Sequence, residues 1–411
     1  MMLMRAFLLC KKSGKARSPS TTVEDFAATV WIKPTKLLIE FGNKLRVVFD
    51  DAYPSGSLVR CDCNYFAAIL QQNEGMTEVS NWKSRSPVLG LIASIGVLVI
   101  CLFISIALGA ADISLKTIYE AIAVFDGSTE HLIIRTVRIP RSLLAILVGA
   151  ATAIAGAIMQ GISHNPLADP EILGINAGAA IAVVVAIFIF GTSEPSFYVW
   201  CAFLGAGTSA VSVYLLGSLG RGGLTPLNLT IAGAAIAALL SALTTGILII
   251  SQRTLDEIRF WLAGSVAGRD YAIIAQVLPY IVIGLVLALA LASQINILNL
   301  GEDVAKGLGQ KTAWVKIAAA VAVLLLAGSA VAAAGPIGFV GLVVPHIVRL
   351  LIGVDYRWIL PYSAVFGAIL LLASDVVARL VIRPQELPVG IVTALVGAPF
   401  FVYLARMKVS K

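Results

Sequence analysis

The chain has 411 residues, of which 59% are hydrophobic and only 13% are charged. A soluble domain carries about a quarter of charged residues because its surface must face water, so this composition excludes a soluble multidomain protein. The net charge of +7 is better explained by basic residues that flank membrane spans than by a nucleic-acid partner. The sequence therefore predicts an integral membrane protein covered by lipid.

Residues 1–86 differ in composition from the rest of the chain. They mix charges with short apolar patches, none of which approaches the ~18 residues that a membrane span requires. We predict a leader with little regular structure. Met76 opens the polar segment MTEVSNWKSRS directly before the first apolar run, which is typical of a cytoplasmic start. We therefore expect translation to begin at or near Met76; the alternative is a regulatory domain in which Cys61 and Cys63 matter.

From Pro87 onward, apolar runs without any charged residue follow one another. Most are long enough to cross a ~30 Å hydrocarbon core at 1.5 Å per residue. They lack the alternation of barrel strands, so only helices can satisfy their backbone groups in lipid. The runs are 87–111, 142–168, 172–193, 195–220, 222–252, 271–301, 317–348, 358–374 and 387–405.

The run 317–348 is too long for one ordinary span and contains Gly335, Pro336 and Pro345. Proline removes a helical hydrogen bond and glycine loosens the backbone. We divide this run into a span that ends near Ala334 and a short one over about 338–352. With this run divided in two, the nine runs predict an all-α bundle of about ten transmembrane helices. An even number of spans puts both ends of the bundle on the same side of the membrane.

Small residues recur at every fourth position along the second predicted span, at Gly149, Ala153, Ala157 and Gly161. This spacing puts them on one helix face, where they let a neighbouring helix approach closely. The pattern predicts tight packing between spans and says nothing about a substrate.

The loop between the sixth and seventh predicted spans carries a second periodic pattern. Leu300, Val304 and Leu308 recur at four-residue spacing, which predicts one apolar face on a short helix. This helix is too short to cross a membrane. An exposed apolar stripe of this kind suits a partner protein.

Asp375 lies within the ninth predicted span, four residues before Arg379. An intramembrane carboxylate is a candidate for proton coupling, whereas the four-residue spacing favours an ion pair between the two side chains. We favour the structural pair. For Gln160, His164 and His346 we likewise expect hydrogen bonds between helices or at helix ends rather than contacts with a ligand.

The sequence contains no phosphate-binding loop of the pattern G-x-x-x-x-G-K-[ST], so we expect no ATPase site in this chain. The three histidines are isolated in sequence, and a C-x-C pair alone is weak evidence for a metal site. We therefore predict no catalytic residues, no cofactor and no metal.

Basic residues flank the predicted bundle at both ends: Lys83, Arg85, Arg406, Lys408 and Lys411. The positive-inside bias places these ends in the cytoplasm. The opposite loops are then rich in arginine, which pairs with carboxylates through two parallel hydrogen bonds. An outward arginine face could dock an acidic partner or anchor to lipid phosphates.

Residues 87–408 resemble the permease family of iron-siderophore and cobalamin ABC importers. The matching stretches occur in the family's order over nearly the whole predicted membrane domain. They are VRIPRSLLAILVGAATAIAGAIMQGISHNPLADPEILGINAGA (137–179), FWLAGS (260–265), LGEDVAKGLG (300–309), AGPIGFVGLVVPHIVRLL (334–351), ASDVVARL (373–380) and ELPVGIVTALVGAPFF (386–401).

The resemblance implies a permease subunit with ten spans in a bacterial cytoplasmic membrane. It also implies a second copy or a close paralogue, two ATP-binding cassette ATPase subunits and an extracytoplasmic substrate-binding protein. Arg138, Arg141 and Arg379 match the family's arginines that accept glutamates of the binding protein. The resemblance assigns ATPase coupling to the loop helix, whose matching residues are Leu300, Gly301, Glu302, Val304, Leu308 and Gly309.

Two functions from different classes remain open at this point. The first is the permease of an ATP-driven importer for an iron-siderophore or a similar metal chelate. The alternative is a proton-coupled secondary transporter that uses Asp375.

Overall fold

A computed structural model describes residues 37–40, 46–49, 87–109, 114–191, 194–219, 225–383 and 385–409. The chain divides into two units, Met1–Trp82 and Lys83–Lys411. In the first unit, β1 (Leu37–Glu40) pairs antiparallel with β2 (Arg46–Phe49). Strands of four residues are too short to show a periodicity, and the sequence did not predict them. The expectations for Cys61, Cys63 and Met76 lie outside the described residues.

The second unit is a bundle of helices. A π-helical turn, Ile134–Arg138, joins α3 to α4, and a 3-10 turn, Pro170–Leu173, precedes α5. The helices are α1 (Pro87–Ala107), α2 (Leu115–Ala123), α3 (Thr129–Ile133), α4 (Ile139–Ile162), α5 (Ile175–Phe190), α6 (Pro195–Ser218), α7 (Pro226–Ile250), α8 (Gln252–Leu262), α9 (Tyr271–Leu298), α10 (Glu302–Gly307), α11 (Thr312–Ala334), α12 (Val340–Ile352), α13 (Tyr356–Leu380) and α14 (Val389–Val409).

The all-α membrane bundle predicted from the sequence is confirmed for the described residues from Pro87 onward. Among the described residues, seven helical segments are long and apolar enough to cross a membrane: α1, the continuous α3–α4 helix, α6, α7, α9, α11 and α13. Three shorter apolar helices, α5, α12 and the Val389–Val402 part of α14, occupy the runs assigned to the remaining three spans. The predicted runs therefore coincide with apolar helices of the described residues, but the sequence did not indicate which of these helices fall short of a full span.

Helix α4 forms the centre of the bundle. Of its most apolar window, 78% is buried, against 11% for α1 and for α7. It contacts α9, α11, α12 and α13. The stripe of small residues faces α13, because Gly149 and Ala153 meet Gly367, and Gly161 meets Tyr356. The predicted close packing along this stripe is therefore present.

The break between α11 and α12 follows the predicted division of the run 317–348. Helix α11 ends at Ala334, and α12 begins after Phe339, whose φ of 68° lies in the left-handed region. Gly341 in the first turn of α12 then meets Gly156 of α4 so closely that a Cβ on Gly156 would overlap the Gly341 carbonyl. The two backbones therefore touch without a side chain between them.

The sequence did not predict α2, α3 and α8, because their charged residues interrupt every apolar run. Helix α8 is amphipathic and buries Thr254, Ile258 and Trp261. Its Arg253 and Glu257 form an exposed ion pair at 3.1 Å. Its fold depends on one apolar face packed on the bundle and a charged face turned outward.

Two opposite ends of the bundle carry the residues singled out in the sequence. The arginine end is where α1 and α13 end and α4 begins. The loop-helix end is where α9 ends, α11 begins and α10 connects them.

Candidate functional site

At the arginine end, the three arginines assigned to docking are buried. The exposed fractions are 4% for Arg138, 5% for Arg141 and 2% for Arg379. These three side chains are therefore not open to solvent in the single chain, and their docking role stays a prediction. A buried guanidinium group must find acceptors inside the protein, and each of the three does.

Arg141 lies in the first turn of α4, directly after Pro140. Its Nε and Nη2 donate to Oδ1 of Asp375 on α13 at 3.0 and 2.8 Å. Its Nη1 donates to Oε2 of Glu386 at 2.6 Å. This fork of charge-assisted hydrogen bonds ties the start of α4 to the end of α13 and to the loop before α14.

Arg379 lies one helical turn after Asp375 on α13. The ion pair predicted from their spacing is present, with 3.0 Å between Nη2 of Arg379 and Oδ2 of Asp375. Nη1 of Arg379 also donates to the carbonyls of Ser105 and Leu108, both at 2.9 Å. These carbonyls belong to the last turn of α1 and the residue after it.

Arg138 also bonds carbonyls at the end of α1. Its Nη1 donates to the carbonyls of Ile106 and Ala107, both at 2.8 Å. The last carbonyls of a helix have no partner within the helix, and a cation at a helix C-terminus interacts favourably with the helix dipole. Arg138 and Arg379 together therefore close the end of α1.

The cluster of these five side chains contains three arginines and two carboxylates, which leaves one positive charge in excess. Asp375 is fully buried, with both oxygens engaged by arginine. Glu386 is 30% exposed, so its bond to Arg141 is the part of the cluster that a group from solvent can reach. We name these residues (Arg138, Arg141, Arg379, Asp375 and Glu386) the arginine cluster.

At the loop-helix end, α10 and the residues that flank it present the apolar side chains that the spacing predicts. The exposed fractions are 64% for Leu300, 50% for Val304 and 66% for Leu308, whereas Ala305 on the opposite side is fully buried. Gly301 and Gly309 flank the helix with φ of 112° and 81°. Only glycine adopts these angles without strain, so the two glycines set the turns into and out of α10.

Glu302 attaches α10 to the base of α11. Its carboxylate lies 2.7 Å from Nζ of Lys316 and 3.2 Å from Nζ of Lys306. These two ammonium groups lower the pKa of Glu302 to about 2. The folded-state pKa lies below the value of ~4.3 that is usual for Glu. The stabilisation by these ion pairs is therefore fully present above a pH of ~4.3 and is lost only as the pH falls towards 2.

Of the three polar residues predicted to form hydrogen bonds between helices or at helix ends, Gln160 and His164 bond backbone carbonyls, and His346 makes a ring contact. Nε2 of Gln160 donates to the Gly341 carbonyl at 3.1 Å, and Nε2 of His164 donates to the Leu298 carbonyl at 2.9 Å. The ring of His346 packs edge-on against Phe400, with 6.0 Å between ring centroids.

The structure does not bring the two sets of predicted site residues together. The arginine cluster and α10 lie at opposite ends of the bundle, and α9 and α11 run between those ends. Within the described residues no group of three or more His, Cys, Asp or Glu side chains is placed to hold a metal ion.

Comparisons with known proteins place this architecture in one family. Residues 97–407 match the model of the FecCD transport family. The chain is 49% identical over 324 residues to the probable siderophore transport system permease protein YfiZ of Bacillus subtilis, which covers 79% of this chain and 97% of that protein. It is 40% identical over 311 residues to the ferric enterobactin transport system permease protein FepD of Escherichia coli, covering 76% of this chain and 93% of that protein.

A solved structure of a metal-chelate type ABC transporter in an inward-facing conformation has the same fold. It superposes with a TM-score of 0.70 at 32% sequence identity, covering 78% of this chain and all of that one.

The arginine cluster generates a prediction about stability. Asp375→Asn leaves Arg141 and Arg379 buried with one counter-charge removed, and breaking a buried pair in this way costs about 3–5 kcal/mol. We expect the free energy of unfolding, measured by denaturant in mixed micelles, to fall by about that amount. The control is Glu120→Gln, which removes an exposed ion pair with Lys116 and should cost less than about 1 kcal/mol. Equal losses in the two variants would contradict the prediction.

Proposed function

The chain belongs to the FecCD transport family, and from this membership we propose that it is the permease subunit of an ATP-driven importer for an iron-siderophore or a similar metal chelate. The observation that carries the proposal is the extent of the match, since residues 97–407 fit the family model. The relatives named above, permeases for a siderophore and for ferric enterobactin, are covered over at least 93% of their length.

The proposal includes partners that supply the energy and the substrate. Two ATP-binding cassette subunits would bind the loop-helix end in the cytoplasm, and an extracytoplasmic binding protein would deliver the chelate to the arginine end. A second copy of the chain or a close paralogue would form the other half of the pathway. Helix α7, with Leu227, Ile231 and Leu239 more than half exposed, offers an apolar face for such a partner or for lipid.

In this mechanism the partner subunits change which side of the permease is open. ATP binding and hydrolysis would move α10, because its exposed apolar face is the part of the loop-helix end that is free to enter a groove of the ATPase. The Glu302–Lys316 ion pair would pass that movement to α11. Each state is favoured only as far as the nucleotide or the loaded binding protein binds it more tightly.

The proton-coupled alternative receives less support from the geometry. It needs a carboxylate that can take up and release a proton, and Asp375 was the candidate. Both oxygens of Asp375 accept hydrogen bonds from Arg141 or Arg379. Such a carboxylate serves to hold two arginines in place, so we favour the ATP-driven function.

Docking of the binding protein through Arg138, Arg141 and Arg379 remains part of the proposal in a modified form. The arginines already have internal acceptors, so an incoming carboxylate must compete with one of them. Glu386 is the exposed competitor, and its exchange for a partner's carboxylate on Arg141 would conserve the number of charge pairs.

The function is tested by uptake of radioactive iron in proteoliposomes. We expect uptake from ferric hydroxamate, ferric citrate or ferric enterobactin only when the ATPase subunits and the binding protein that copurify with the chain are present with ATP. A protonophore should leave this uptake unchanged while ATP is maintained. Uptake without the ATPase that a protonophore abolishes would favour the secondary transporter instead.

The coupling role of α10 is tested by replacing Leu300, Val304 and Leu308 with Ser. These side chains would form the buried core of the ATPase contact, where few residues dominate the binding energy. We expect the amount of ATPase that copurifies to fall by about tenfold or more, with the fold of the permease unchanged. The control is Tyr119→Ser with Val124→Ser, which removes side chains that are 73% and 70% exposed on α2 and after it. Undiminished copurification of the α10 variant would remove the coupling assignment.

The docking proposal predicts the effect of Glu386→Gln on binding-protein affinity. The substitution removes the negative charge of Glu386 and so weakens the bond between this side chain and Nη1 of Arg141. We expect the binding protein to bind the permease in nanodiscs about fivefold more tightly, which corresponds to about 1 kcal/mol. Added salt should diminish the gain, because charge pairs at an exposed rim are screened. Glu120→Gln changes the net charge equally at a distance from the cluster. If both variants bind alike, docking does not involve Arg141.

A further inference from the structure

Helix α12 contains a proline that leaves one backbone carbonyl without its hydrogen bond inside the helix. Pro345 has no N–H group, so the carbonyl of Gly341, four residues earlier, cannot form its usual helical hydrogen bond. In the interior of a membrane protein such a carbonyl must be satisfied by another part of the chain. Nε2 of Gln160, on α4, donates to this carbonyl at 3.1 Å and to the next one, Leu342, at 3.3 Å.

The same side chain also holds the other half of α12. Oε1 of Gln160 accepts a hydrogen bond of 2.6 Å from Nη2 of Arg349, which lies in the last turn of α12. Gln160 is only 3% exposed, so its amide lies inside the bundle. One amide therefore bridges the segments before and after Pro345 and attaches both to α4.

The surroundings of this bridge hold α12 close against α4. Gly156 and Gly341 bring the two backbones into contact one turn before Gln160, and Phe339 adopts a left-handed conformation immediately before α12. A non-glycine residue with positive φ stores strain that its surroundings must offset. The bonds of Gln160 lie close enough to supply part of that stabilisation.

The bridge is linked to the loop-helix end by a short path of contacts. Nη2 of Arg349 lies 3.5 Å from the hydroxyl of Tyr356, whose backbone N–H donates to Asn296 on α9 at 2.9 Å. One turn beyond Gln160, the ring of His164 bonds the Leu298 carbonyl at the end of α9, just before α10. The contacts that hold α12 and the contacts next to α10 therefore converge at the end of α4.

We propose that Gln160 is a positioning residue that fixes the proline-broken helix α12 on α4 and so makes the position of α12 follow that of the loop-helix end. The part about coupling rests on the proposed ATP-driven function. The part about the position of α12 does not, since it concerns the permease chain alone. Gln160 touches neither substrate nor nucleotide in this role.

Two variants separate the two halves of the bridge. Gln160→Leu removes all of its hydrogen bonds at nearly the same volume. Gln160→Glu keeps an acceptor for Arg349 but loses the N–H donor to the Gly341 carbonyl. Gln276→Leu, on α9, is the matched control, because its amide bonds the Ser196 carbonyl in the first turn of α6.

The first measurement uses the permease chain alone in nanodiscs. With the five native cysteines replaced by alanine, a spin label is attached at Leu350→Cys, a position that is 72% exposed at the end of α12. We expect Gln160→Leu to raise the mobility of the label clearly. Gln160→Glu should raise it less, because it keeps the contact to Arg349. The control should match the parent protein.

The second measurement is the number of iron chelates imported per ATP hydrolysed in the assembled transporter, with the substrate that supports uptake in the test above. Both Gln160 variants should lower this ratio about fivefold or more while ATP hydrolysis continues, since losing a buried hydrogen bond corresponds to roughly this factor. A purely structural role would lower uptake and hydrolysis together with the amount of folded protein.

The outcomes distinguish this proposal from the proposed function. If the mobility of the label and the transport ratio of Gln160→Leu equal those of the control, the positioning role is wrong. A normal ratio in Gln160→Glu would show that the bond to the Gly341 carbonyl has no role in coupling, which also overturns the proposal. Should uptake prove independent of ATP, the proposed function fails, while the label still decides the position of α12.

Discussion

The structure depends on one constraint, the need to satisfy every backbone carbonyl in a bundle that lipid surrounds. Helices meet this need internally except at their ends and at prolines. At the end of α1 and at Pro345 this chain uses long polar side chains from outside the helix concerned. Arg138 and Arg379 close the end of α1, and Gln160 bonds the carbonyl that Pro345 leaves free. These three long polar side chains therefore lie where a helix stops or breaks.

This constraint explains why the two candidate sites differ in character. The arginine cluster combines charges that must remain buried, so it is rigid apart from the exposed Glu386. Helix α10 lies outside the bundle and keeps its apolar face exposed, attached mainly through Glu302 and Lys316. A cluster of buried charges and an exposed apolar face thus occur on one chain without sharing residues.

Much of this architecture could be predicted from the sequence, because a helix that crosses lipid carries few or no charged residues over its length. The predicted runs located the apolar helices, and four-residue spacing identified both the face of α4 that meets α13 and the exposed face of α10. The burial of Arg138, Arg141 and Arg379 could not be predicted in this way. It depends on carbonyls of α1 that approach these arginines only in the folded bundle. In the sequence, an arginine that caps a helix cannot be told from one that faces water. Helix α8 was missed for a related reason, since half of its surface is charged.

The glycine contact between α4 and α12 limits how the bundle can rearrange. Side chains at a helix interface can change rotamer one after another, so a helix that packs through them can shift by small steps. Between Gly156 and Gly341 there is no side chain to rotate, and close-packed interfaces do not deform continuously. A shift of α12 along α4 at this contact therefore requires the two backbones to separate first. Such a contact gives a transport cycle discrete states instead of a continuum.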